Sequence, residues 1–270
     1  MPEVPENIYF ELTAAFNAAG RIAVLASGQA VVWYRLAMMS KDGDWILRET
    51  DAACERVREV LAERGARYRS GAPLDPRWLA GGWSSHFELL DQRRRRVRCD
   101  FFSRPPRLEP SRLAALFAAP EPPGELPVVD VESLIRMKQT QRAKDYPVIG
   151  ELARLLAPEQ ELELTTDPDR ILELAAGLRD RTSRRPAVRA ATEGRGRLAV
   201  VVALAEEVDR LQQQDRARVE RYEHASTAYR EALRRLPRED LRLPGGHDRL
   251  LELAEGRLPA TLPDLEETTG

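Results

Sequence analysis

The sequence predicts an α+β protein in two parts: a mixed β-sheet flanked by helices over residues 1–155, then an all-helical region over 156–270. Three observations predict it. Short β-prone runs alternate with helix-period segments up to about residue 155. Strand signals stop from Pro158 onward. A chain of 270 residues that is 43% hydrophobic also has enough apolar surface for one large core or two modest ones.

The elements follow in order. Ile8 to Ala19 places Phe10, Leu12 and Phe16 on one helical side, with Gly20 as a stop. Ile22 to Ala26 is a compact β-prone run that ends at Ser27-Gly28, and Gln29 to Met39 then reads as a helix without proline or glycine. Trp45 to Leu47 begins a second strand directly after an acidic tripeptide. Asp51 to Arg64 has helical spacing through Ala53, Val57, Val60 and Leu61, with Thr50 or Asp51 as N-cap and Gly65 as stop. His86 to Leu90 and Val97 to Phe102 read as a hairpin joined by the charged stretch Asp91 to Arg96.

Residues 105–127 hold seven prolines and read as a surface connection. Asp130 then caps a helix with Leu134, Ile135 and Met137 inward. A second helix follows Tyr146-Pro147, with Ile149, Leu152 and Leu155 inward. Beyond Pro158, residues 168–178, about 198–236 and 248–253 all favour helix. The longest of these carries Val201, Leu204, Val208, Leu211, Val219, Tyr222 and Ala225 on a loosely heptad-like face, suited to packing on the first domain, on a partner protein or on a second copy as a homodimer.

Composition excludes several classes. Forty-two Lys and Arg nearly cancel 44 Asp and Glu, and the net charge of −2 gives no whole-molecule attraction to nucleic acid or membrane, so a polyanion would have to meet a local patch. Cys54 and Cys99 lack the spacing of a zinc site. The longest apolar run, Leu198 to Ala205, is too short to span a bilayer, and the N-terminus has no basic-then-apolar leader pattern, so a cytoplasmic protein is expected. Lysine occurs only at 41, 138 and 144, which sets those three positions apart.

The sharpest chemical feature is Asp42-Gly43-Asp44. Carboxylates two apart on an extended segment point to the same face and can share one hard cation, although a solvated acidic turn produces the same tripeptide. Two further features join it. The Ser27-Gly28 turn between a strand and a helix would present backbone N–H groups to phosphate oxygens. Asp100, inside the β-prone run Val97 to Phe102, needs a partner or a metal, and a salt bridge to Arg98 or to the arginine-rich connection is the plainer alternative.

Glycine-serine turn, paired aspartates and a third aspartate on a later strand together resemble the polymerase-β-like nucleotidyltransferase superfamily, in the neighbourhood of minimal nucleotidyltransferases and AbiEii-like toxins. The resemblance covers roughly residues 20 to 155. It implies a metal-dependent transfer of a nucleoside monophosphate from a nucleoside triphosphate to a hydroxyl of RNA, protein or a small molecule, with a toxin–antitoxin or defence system as the setting.

By position, Asp42, Asp44 and Asp100 match the catalytic carboxylates that bind Mg²⁺ or Mn²⁺, and Ser27 with Gly28 matches the turn facing the phosphates. The string Leu134 to Tyr146 looks like the family's helix ending in Arg-x-Lys-Asp, which gives Lys138 and Arg142 a place near the triphosphate. Gly43 departs from the pattern, which usually has a hydrophobic residue there.

Other candidates carry plainer readings. Arg93 to Arg96 suits a charged hairpin tip more than a phosphate contact. Arg181, Arg184, Arg185, Arg189, Arg195 and Arg197 form a basic stretch without the interleaved aromatics of a single-strand platform. His86 reads as a satisfied sheet histidine, and the four tryptophans as core. The rival functions are a binding scaffold on the same fold that has lost catalysis, and a helical interaction protein whose first domain matches by chance.

Overall fold

The computed structural model describes residues 7–118, 125–178 and 183–262. Helix α1 (Ile8–Phe16) leads to β1 (Ala23–Ala26), α2 (Ser27–Trp33), β2 (Asp42–Leu47), α3 (Asp51–Glu63), β3 (Arg67–Gly71), α4 (Pro76–Ala80), β4 (Ser85–Leu90), β5 (Arg96–Phe102) and α5 (Pro110–Ala118). Helices follow: α6 (Val131–Lys138), α7 (Asp145–Ala153), α8 (Pro158–Leu164), α9 (Pro168–Gly177), α10 (Pro186–Thr192), α11 (Arg197–Ala225) and α12 (Thr227–Arg234), then a 3-10 turn at Glu239–Leu241 and α13 (Gly245–Ala254). This is the expected α+β arrangement, a mixed sheet flanked by helices and followed in sequence by a long helical region.

The sheet has five strands in the order β1-β2-β5-β4-β3. Only the β2·β5 pair is parallel among these neighbours; the other three are antiparallel. Its β1 edge is covered by the chain at 127–129, where Leu25 donates to Pro127 O and Val129 donates to Leu25 O. One face is apolar. Trp45 stacks on Phe101 at 5.2 Å, Phe87 and Phe16 meet Phe101 edge-on, and the Trp45 indole N–H donates to Thr13 Oγ1 on α1. That bond satisfies the one polar atom the indole brings into the core.

The compact units do not follow the compositional boundary at 155/156. One unit comprises 1–129 together with 221–270, and the other 130–220. The physical reason lies in the apolar residues after the long helix: Tyr229, Leu233, Leu250, Ala254 and Leu258 belong to the same buried cluster as Trp45 and Phe87. His247 Nδ1 lies 2.8 Å from the Tyr68 hydroxyl, Tyr229 donates to Gly71 O, and Trp83 donates to Pro259 O. In the other unit, Leu162, Ile171, Val188, Val200 and Leu204 from α8 to α11 form a separate core.

Several local expectations change. The helix expected over 29–39 ends at Trp33; Arg35 takes a φ of 61°, and Met38 and Met39 are 100% and 80% exposed, so the apolar run beyond Trp33 has no face to bury. The segment over 198–236 breaks at Ser226 into α11 and α12. The proline-rich connection contains α5, Met137 is only half-buried, and Leu155 is half exposed. The basic residue Arg181 and the segment from Pro263 onward lie outside the described residues. Of the rest of that basic stretch, Arg185 pairs with Glu207, Arg189 and Arg195 with Glu193, and Arg197 with Asp169.

Candidate active site

Strand alternation sets the site. On β5, Val97, Cys99 and Phe101 turn into the core, which leaves Arg96, Arg98 and Asp100 on the opposite face. On β4 the same parity puts His86 and Glu88 there, and on β2 it puts Asp42 and Asp44 there. Register then decides which groups meet. Asp44 is paired with Asp100, Asp42 with Arg98, and His86 with Asp100. Three carboxylates therefore share one sheet face, two of them directly opposite across adjacent parallel strands.

The start of β2 is fixed from behind. The Tyr9 hydroxyl donates to Lys41 O at 2.6 Å, and the buried Gln29 amide donates to Ser40 O at 2.9 Å while its oxygen accepts from Asn7. Gly43 is required by this packing. A Cβ there would collide with the Tyr9 ring and with the Trp45 indole, which fill the volume that a hydrophobic residue between the aspartates would occupy. The departure at Gly43 is thus compensated from α1 and from Trp45.

Ser27 and Gly28 also lie at the carboxylates. The last residue of β1, Ala26, is the register partner of Asp44, so Ser27 follows beside it. Ser27 has a φ of 52°, in the region a non-glycine residue seldom adopts, and its side chain acts to lower the Asp44 carboxyl. A Cβ on Gly28 would meet the Ser40 side chain, so the glycine admits the loop ahead of β2.

The two facing carboxyls have opposite electrostatics. Burial, then the charges of Asp100 and Asp42, push the Asp44 carboxyl up to about 7, against a smaller downward pull from the Ser27 hydrogen bond and His86. Asp100 is held below the ordinary carboxylate range. Burial acts to raise it, but His86, with Nδ1 at 2.9 Å from Oδ1, and Arg69, with Nη2 at 3.0 Å from Oδ1, outweigh that. Burial also raises the nearby Tyr9 phenol to about 12.

The partners of Asp100 differ from those expected. Arg98 reaches Asp42 instead, at 3.4 Å, because residues two apart on β5 share a face and register sets Arg98 against Asp42. Arg69 comes from β3, where a register shift between Tyr68 and Ser70 leaves it as an extra residue, re-aimed as β-bulges re-aim side chains. His86 lies on the sheet as expected, on β4, and extends the site outward, with Nε2 at 3.0 Å from Ser84 Oγ, which lies 3.2 Å from the Tyr222 hydroxyl.

Lys138 and Arg142 belong to the 130–220 unit, and both turn to one residue. Lys138 Nζ is 3.9 Å and Arg142 Nη2 2.8 Å from the Asp145 carboxyl, which also accepts from Thr140. Lys138 and Asp145 are both buried. Among the described residues, no group of three or more His, Cys, Asp or Glu side chains is spaced to hold a metal ion as it stands. No helix of the described residues is long and apolar enough to cross a membrane.

No known family model matches the sequence, and no curated protein is significantly similar to it. A crystal structure described as a "putative nucleotidyltransferase from H. pylori" aligns with 76% of this chain and 95% of its own, at 14% identity and a TM-score of 0.39.

Proposed function

We propose that this chain is a metal-dependent nucleotidyltransferase that moves a nucleoside monophosphate from a nucleoside triphosphate to a hydroxyl acceptor. The observation that carries the reading is the Asp42, Asp44 and Asp100 face, where one carboxyl is pushed up to about 7 by burial and by the other two. Groups so arranged favour positive charge brought among them, and their oxygen-only donor set suits Mg²⁺ or Mn²⁺. Asp42, Asp44 and Asp100 would hold the cation. When bound, it would neutralise triphosphate charge and activate the acceptor hydroxyl.

The chain's own groups then have distinct tasks. Asp100, kept ionised by His86 and Arg69, is the candidate to accept the hydroxyl proton. Ser27 stabilises the ionised form of Asp44. Ser27 and Gly28 border the carboxylates, the place the phosphates would take. Lys138 and Arg142 are engaged with Asp145, so the reading rests on the sheet residues alone. A place in a toxin–antitoxin or defence pair is compatible with such a transferase.

A second reading has its own observation. Arg69 already pairs with Asp100, His86 contacts it, and Arg98 lies on Asp42, so the same face could be a self-contained polar network in a non-catalytic scaffold. Thermal unfolding with each of the four nucleoside triphosphates, in Mg²⁺ or Mn²⁺, separates the two. A metal-dependent rise in Tm, lost in Asp42→Asn/Asp44→Asn, supports the transferase; no rise with any nucleotide supports the scaffold.

A further inference from the structure

The polar face of the sheet does not end at the carboxylates. Arg96, Arg98 and Asp100 alternate along β5 on one side, and from Arg96 to Asp100 the strand rises only ~13 Å. At the Arg96 end the face opens into a cavity of about 470 Å³. Its wall brings together Arg67 of β3, Glu88 of β4, Arg96 of β5, and Arg238, Glu239 and Arg242 from the turn before α13. An isolated bridge between Arg67 and Arg242 ties that turn to the sheet edge, and Leu243 donates to Ala66 O beside it.

The charges in this cavity do not balance. Four guanidiniums face two carboxylates, in a chain whose net charge is −2. Glu88 is shared: Arg67 binds it through two nitrogens at 2.9 and 2.6 Å, and Arg96 approaches to 3.6 Å. Arg67, Arg96 and Arg238 together hold its carboxyl below the ordinary range, although burial acts the other way. Among the described residues, neither Arg238 nor Arg242 has a carboxylate within ion-pair distance. The hairpin tip is separate: Arg95 is taken by Asp91 at 2.7 Å, and Arg96 alone of that run enters the cavity.

We propose that the cavity binds a phosphate group, with Arg96, Arg238 and Arg242 as its donors, and that the phosphate belongs to the acceptor molecule. The second half rests on the transferase reading; the first does not. Guanidiniums offer paired N–H donors that match phosphate oxygens, and a face continuous with the carboxylates lets one ligand carry both a phosphate here and a hydroxyl there. Inorganic pyrophosphate and a phosphate within a nucleic-acid strand share this chemistry.

The test uses the full chain without nucleoside triphosphate, so it stands apart from the fate of the transferase reading. A fluorescein-labelled, 5′-phosphorylated oligoribonucleotide is titrated by anisotropy, and pyrophosphate is titrated by thermal shift. The exposed double variant Arg96→Gln/Arg238→Gln is compared with the hairpin-tip control Arg93→Gln/Arg94→Gln. The expected result is a loss of about tenfold in affinity for at least one probe in the cavity variant and none in the control. Binding of pyrophosphate as well as RNA identifies a general phosphate site, and binding of RNA alone a polymeric acceptor. Neither probe binding the wild type, or equal losses in both variants, overturns the proposal.

Discussion

Asp44 and Asp100 face each other across the parallel β2·β5 pair, yet Arg69 and His86 both reach Asp100 while no arginine pairs with Asp44 among the described residues. The asymmetry gives the two carboxyls opposite pH behaviour, and it is the source of the first two predictions.

Asp44 has a folded value near 7, above its unfolded 3.8. The folded chain therefore retains a proton that the unfolded chain releases, and stability falls as pH rises from about 4 to about 7. Asp44→Asn removes that loss. The variant should be more stable than wild type at pH 8 by on the order of 1–3 kcal/mol, discounted for the carboxyl's partial access to water, with the gain vanishing near pH 4. Urea unfolding at the two pH values measures it; an equal gain at both would contradict the assigned cause.

Asp100 has the opposite sign. Its folded value lies below the ordinary one, so its contribution is fully present above about 4 and is lost as pH falls through the folded value. Arg69→Gln should cost ~0.5–1 kcal/mol at pH 7, since the arginine is one-third exposed, and the cost should shrink in acid. A cost independent of pH would assign Arg69 a packing role instead.

Gly43→Ala should destabilise the chain by ~1–3 kcal/mol, because the added methyl displaces the Tyr9 ring or the Trp45 indole from the back of β2. The comparison is the midpoint of chemical denaturation. A neutral result would mean that those rings can yield.

Lys138→Gln should lower Tm, by the equivalent of ~1–2 kcal/mol, because the lysine lies buried against Asp145. Asp145→Asn, which also releases Arg142 and changes what Thr140 meets, should cost more. If Lys138→Gln leaves Tm untouched but weakens nucleotide binding, the side chain serves the ligand and not the fold.

Much of the site was legible because strand parity is a strong signal. Asp42 and Asp44 two apart, and Asp100 in a β-prone run whose odd-numbered residues are apolar, were enough to put three carboxylates on the polar side of strands. The partners were not legible. Arg69 sits on β3, whose sequence Arg-Tyr-Arg-Ser-Gly has one apolar residue, so periodicity gives no strand there. His86 was read as a satisfied sheet histidine without a place beside the carboxylates; its parity with Asp100 through the hairpin was the available signal.

The domain boundary was read from the loss of strand signals, but composition cannot tell which core a helix joins. Tyr229, Leu233 and Leu250 return to the sheet unit although they follow 91 residues of the other unit. The cavity formed by Arg96 with Arg238 and Arg242 depends on that return, which is why Arg96 looked like part of a solvated hairpin tip.

The most direct test of the carboxylate site is electron paramagnetic resonance of Mn²⁺ titrated into the protein with each nucleoside triphosphate. The protein-free nucleotide mixture serves as reference, and wild type is compared with Asp42→Asn/Asp44→Asn. The account predicts Mn²⁺ bound to the wild-type protein in the presence of at least one nucleotide and about tenfold weaker binding in the variant. Identical titrations for the two proteins, or no protein-bound Mn²⁺ with any nucleotide, would contradict it.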